Sequence, residues 1–189
     1  MPARHLGGGS RRPSRNDGRA KSLQHRFDDS ARPPAGGRRK RGTREQAFGR
    51  SRGGFSCKVH CLCDSRGRPL AFHLTGGEVH DSKGYPFLID LAPAAPKALI
   101  ADKGYDSAAI RADLKARKIK AVIPPRHGHR KPPRWDKRLY RQRSGIECMI
   151  GHLKANRAIA TRYDKLAESF LGMLDLAAAK YWLKFVHRA

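Results

Sequence analysis

Two short apolar runs, residues 97–101 with Lys97 at its head and residues 121–123, flank a stretch of helical period and constrain this chain more than any other feature. A run so short and continuous has no polar face, which fits a strand covered on both sides, as in a buried parallel sheet. The first run ends at Asp102 and the second is closed by Pro124-Pro125. Between them, residues 107–118 set Ile110, Leu114 and Arg117 on one stripe at helical spacing. Upstream, residues 55–64 alternate as a strand, Ser65-Arg66-Gly67-Arg68 supplies turn chemistry, and residues 69–75 read as the hairpin partner. Residues 81–91 read as a short helix opened by a cap at His80-Asp81-Ser82. Residues 137–157 and 167–186 each read as one amphipathic helix. Hairpin, helix, strand, helix, strand and helices, in that order, predict an α/β domain with a mixed sheet flanked by helices.

The front of the chain is different. Residues 1–54 hold 13 Arg and 2 Lys against 4 acidic residues, and 10 of the 19 glycines. No apolar face of either period emerges, so little surface is available to offset the entropy of ordering. The division expected is a basic, mostly disordered segment over 1–48 and a folded domain over 49–189. Within the front segment one strand is expected over 23–29, where Leu23, His25 and Phe27 alternate.

The formal net charge is +25, from 41 Lys and Arg against 16 Asp and Glu. An enzyme of neutral small molecules gains nothing from that self-repulsion, whereas a polyanion releases counterions on binding it. Nucleic acid is the expected partner. An RNA-binding module would rest on charge alone, because the 14 aromatic residues form no clustered pair on a strand. Cys57, Cys61 and Cys63 alternate onto one side of the first hairpin strand and His60 onto the other. Tight tetrahedral zinc sites use a turn between paired ligands, so these cysteines read as small buried hydrophobes. The chain shows no run of about 18 apolar residues and opens with no charged-then-apolar leader, so a reducing cytosolic compartment with free thiols is expected.

Two places combine a carboxylate with a setting for chemistry. Asp102-Lys103-Gly104-Tyr105 puts an acid at the carboxyl end of a buried strand, where α/β sheets bind ligands. The alternative is an Asp that only caps the following loop. Tyr140, Arg143, Glu147 and Lys154 are spaced by three, four and seven residues and share one helix face, with Ile146, Met149, Ile150 and Leu153 beside them. The alternative there is a solvated ladder, since Arg143 and Glu147 form an i,i+4 pair.

Tyr140, Arg143, Glu147 and Lys154 resemble, residue for residue, the signature of bacterial insertion-sequence transposases of the DDE type. Asp102-Lys103-Gly104-Tyr105 is similar to the segment around their second catalytic Asp. The blocks Gly49-Arg50-Ser51-Arg52-Gly53-Gly54-Phe55-Ser56, with Lys58 and His60, and Leu74-Thr75-Gly76-Gly77-Glu78 with His80-Asp81-Ser82, resemble the intervening conserved segments. The resemblance runs from about Gly49 to Val186. It implies a ribonuclease-H-like fold, DNA cleavage and strand transfer at transposon ends, and two Mg²⁺ or Mn²⁺ ions held by carboxylates including Asp102 and Glu147. It further implies that Lys154 and Arg143 hold DNA phosphates, that Tyr140 supports the helix or stacks on a flipped base, and that two chains pair as a homodimer on synapsis with target DNA.

The first catalytic Asp of the family lies on its first strand, ahead of the Gly49 block. Only Asp28-Asp29-Ser30 stands in that region, and Pro33-Pro34 cannot continue a strand. Asp29, with Asp28 as the alternative, is the candidate catalytic and metal-binding residue. The front end reads as truncated or frame-shifted, without the DNA-binding helices of a full-length relative. Two readings follow: a transposase, active or inactive in this copy, and a non-catalytic basic DNA-binding remnant.

Overall fold

The computed structural model describes residues 19–28, 46–51, 54–92, 95–164 and 166–186. Six strands form one sheet: β1 (Arg19–Asp28), β2 (Gly49–Ser51), β3 (Gly54–Asp64), β4 (Pro69–Gly76), β5 (Ala98–Ile100) and β6 (Lys120–Val122). The path runs β4-β3-β1-β5-β6, with β2 paired to the first residues of β3. β3 is antiparallel to both β1 and β4, while β5 is parallel to β1 and to β6. The sheet is mixed, as the order of periodicities predicts. It draws its central strand from residues 19–28, four residues earlier than the alternation of Leu23, His25 and Phe27 suggests.

Alternation along β3 builds two layers. Cys57, Val59, Cys61 and Cys63 are fully buried against helices α4 (Ser144–Lys154), α5 (Arg157–Thr161) and α6 (Ala167–Val186). Ile146, Met149, Ile150 and Leu153 supply the inner face of α4, and Ile159, Phe170 and Leu174 complete that core. Burying such a side chain is worth about 1.5–3 kcal/mol each. On the other face, Leu62 and Leu99 meet α1 (Tyr85–Asp90) and α2 (Ala108–Ala116) through Tyr85, Leu88, Ile110 and Leu114. Arg117 leaves that stripe: it is exposed and pairs with Asp113 and Asp90.

Two expected helices are broken. Residues 81–91 divide into a 3₁₀ turn, Asp81–Lys83, and α1, because Gly84 intervenes and Pro86 starts a new first turn. His80 does cap the 3₁₀ turn, accepting from the Ser82 amide. Residues 137–157 divide into α3 (Lys137–Tyr140), a 3₁₀ turn at Arg141–Arg143, and α4. Asn156 then ends the run by capping α5, its side chain accepting from the Ala158 amide. Among the described residues no helix is long and apolar enough to cross a membrane.

Candidate active site

β5 delivers Asp102 to the carboxyl edge of the sheet. Ala98 and Ile100 pack with Val122, Leu139 and Tyr140, and Asp102 emerges on the same side two residues later. Its side chain makes no cap bond to the 3₁₀ turn that follows, Lys103–Tyr105. It turns instead toward the helical segment: Arg143 Nη1 lies 3.0 Å from Asp102 Oδ1 and the Tyr140 hydroxyl donates to the same oxygen at 3.2 Å. The other guanidinium nitrogen of Arg143 reaches Glu147 Oε1 at 2.7 Å. One arginine thus holds two carboxylates that lie far apart in the chain, and the i,i+4 pair is part of a tertiary bridge rather than a free-standing ladder. Tyr140 is fixed from behind by an edge-to-face contact with Trp135, with ring centroids 4.9 Å apart.

Burial pushes the Asp102 carboxyl above its ordinary range; Arg143 and the Tyr140 hydroxyl oppose this, while Glu147 and Asp81 add to it. The Tyr140 phenol is also raised, by burial first and by Asp102 next.

Around Asp102 opens a cleft of about 760 Å³, walled by Asp81, Arg126, His127, Trp135, Tyr140 and Arg143. Asp81 is a third carboxylate here that motif spacing did not single out. Lys58 holds it, donating to Asp81 Oδ1 at 2.9 Å and to the Val79 carbonyl at 2.6 Å. Beneath it His60 is fully buried, bonded through Nδ1 to the Tyr105 hydroxyl at 2.8 Å and through Nε2 to Thr75 Oγ1 at 2.9 Å. Burial, with His73 and Lys58, lowers the His60 pKa to about 4, so the ring is neutral at pH 7. The sequence signal for Lys58 was a charged residue alternating with buried ones on a central strand. Lys154 ends α4, two turns beyond Glu147, roughly 10 Å along the axis.

Of the two candidates for the third expected acid, only the alternative, Asp28, lies among the described residues. Lys21 pairs with Ile100, so Leu23 is the β1 residue level with Asp102. The only acidic residue of β1 is its last, Asp28, about 16 Å farther along the strand. Asp29 lies outside the described residues.

Carboxylate oxygens suit hard divalent cations. Asp102 and Glu147 are nevertheless both engaged by Arg143, and the described residues contain no group of three Asp, Glu, His or Cys able to hold a metal ion. The described donor set falls short of a two-ion site.

The family model for the transposase DDE domain matches residues 29–180. A Brucella ovis protein named "Putative transposase for insertion sequence element IS6501" is 34% identical over 134 residues, 69% of this chain and 100% of that protein. A Burkholderia cepacia protein named "Putative transposase for insertion sequence element IS402" is 38% identical over 79 residues, 36% of this chain and 37% of that one. A synaptic complex of piggyBac transposase with hairpin DNA aligns at a TM-score of 0.40 and 15% identity, over 61% of this chain and 24% of that one. That likeness is too remote to carry an inference.

Proposed function

The chain belongs to the transposase DDE domain family, and from that membership we propose that it binds transposon-end DNA and seats a backbone phosphate in the cleft at Asp102. The observation that carries this reading is the Arg143 bridge, which holds Asp102 and Glu147 together at the mouth of a cleft edged by cations. The ribonuclease-H-like reading of the fold is supported by the path β4-β3-β1-β5-β6, three antiparallel strands followed by two parallel ones. Arg143 and Lys154 contact phosphates, and Tyr140, backed by Trp135, supports the bridge or stacks on a base. Synapsis of two ends pairs two chains, on the bacterial nucleoid.

In this reading the chain's strand cleavage and transfer, the Mg²⁺- or Mn²⁺-dependent chemistry of the family, is at background level. Two-ion phosphoryl transfer needs a carboxylate shared between the ions, and β1 offers none from Arg19 to Phe27. The same observation favours the second reading, a DNA-binding remnant that occupies ends without cutting them. DNA binding is tested with duplexes from the regions flanking the coding gene, against scrambled duplexes of equal length. The expected result is preference for a flanking duplex, weakened by Lys154→Ala. Equal affinity for all duplexes contradicts end recognition.

A further inference from the structure

The long connection between β6 and α3 is strongly basic, and its cations are divided between two jobs. Residues 126–134 contain Arg126, Arg130, Lys131 and Arg134, with His127 and His129, and no acidic residue. Arg126 is tied back onto the domain. Its guanidinium donates to the carbonyls of Gly104 (2.9 Å) and Lys103 (3.2 Å) and meets His80 Nε2. Arg130, Lys131 and Arg134 stay exposed, and none of them forms an ion pair among the described residues.

A nine-residue loop with this much like charge tends to swing away from its anchor, yet one buried acid holds it down. Asp106 Oδ2 accepts from the Arg126 amide at 2.8 Å and contacts His129 Nε2 at 2.7 Å, while its Oδ1 accepts from Arg111 Nε at 2.8 Å. Arg111 in turn donates to the Ile123 carbonyl, tying in the end of β6. The Asp106 side chain is 1% exposed, so this bracket lies beneath the loop and is not part of the DNA-facing surface. Arg126 and His127, at the start of the loop, line the Asp102 cleft together with Tyr140 and Arg143.

We propose that the loop over residues 126–134 is a second DNA-backbone wall facing the α4 side of the cleft, with Arg130, Lys131 and Arg134 on phosphates and Asp106 as its positioning residue. This rests on the DNA-binding reading above and adds a surface outside the Tyr140–Lys154 signature. The sign of one effect separates positioning from simple electrostatics. Removing the negative charge of Asp106 near bound DNA should tighten binding, whereas releasing the loop should weaken it.

The test is anisotropy of a fluorescein-labelled duplex of random sequence, titrated with the full chain across a series of salt concentrations. Each lost phosphate contact lowers the log–log salt slope by about 0.9. Arg130→Ala/Lys131→Ala/Arg134→Ala should therefore flatten it by roughly two to three. Asp106→Asn should weaken binding several-fold, and adding it to the triple variant should produce little further loss, since both act through one loop. His129→Ala, a gentler release of the same bracket, should act in the same direction. A triple variant with unchanged affinity and slope overturns the wall. Asp106→Asn and His129→Ala chains that bind as tightly as wild type, or more tightly, overturn the positioning role. A wild-type chain that binds no DNA at low salt overturns the DNA-binding reading itself, and the loop wall with it.

Discussion

Arg143→Gln removes the one cation that joins Asp102 to Glu147, and its effect can be worked out from the geometry. At 3.0 Å the attraction to Asp102 is about 5 kcal/mol at an effective dielectric of 20, before desolvation is subtracted. The net loss for a charged hydrogen bond is about 1.5–3 kcal/mol, and side chains 25% and 29% exposed belong at the lower end. The Glu147 arm, to a carboxylate 52% exposed, is screened and adds at most about 0.5 kcal/mol. The total is about 2 kcal/mol, or roughly 4–8 °C in thermal midpoint for a chain of this size. The pH dependence follows from the raised pKa of Asp102. A carboxyl whose folded pKa exceeds its unfolded value destabilises the fold increasingly as pH rises through that window. Without Arg143 its pKa climbs further, so the deficit is full at neutral pH and shrinks as acid protonates Asp102. Differential scanning calorimetry of wild type, Arg143→Gln, Asp102→Asn and the double variant at several pH values checks this. Asp102→Asn should remove most of the deficit caused by Arg143→Gln. A midpoint change below about 1 °C at pH 7, or one that does not vary with pH, refutes the bridge.

Three further outcomes are expected. His60 is neutral in the fold because burial holds its pKa near 4, while an unfolded histidine titrates near 6.5. Stability should therefore fall by about 3 kcal/mol as pH drops from 6.5 to 4, and His60→Gln should flatten that part of the urea-denaturation profile. Phe170→Ala empties a fully buried position and removes one of the two rings against the buried Arg162 guanidinium; a loss of about 3–5 kcal/mol is expected in the same assay. Lys154→Ala should lower the salt slope of DNA binding by about one, read by anisotropy, without lowering the thermal midpoint by more than 1–2 °C.

The parts legible in the sequence are those set by local period. The β3–β4 hairpin, β5, β6, α2 and α6 all follow from alternation, apolar runs or helical stripes. Asp102 was visible because an acid ended an apolar run, and Tyr140, Arg143 and Glu147 because their spacing survives a change of helix type. The 3₁₀ turn at Arg141–Arg143 and the cap at Asn156 were not foreseen, since a uniform 100° per residue hides a tightened turn. In the sequence Asp81 is legible only as part of a cap, because its role beside Asp102 depends on Lys58, 23 residues away on β3. Asp106 is silent in the sequence for the same reason: its partners come from α2 and from the loop after β6.

Strand nicking, dependent on Mg²⁺ or Mn²⁺, on DNA carrying the element's own ends tests the central claim most directly. Wild type, Glu147→Ala and Asp29→Ala are compared at equal DNA occupancy. With Leu23 level with Asp102 and no acid in β1 before Asp28, all three chains should bind the ends and nick at background level. Robust nicking by wild type, abolished by both Asp29→Ala and Glu147→Ala, would contradict the account and identify Asp29 as the third carboxylate of a working site.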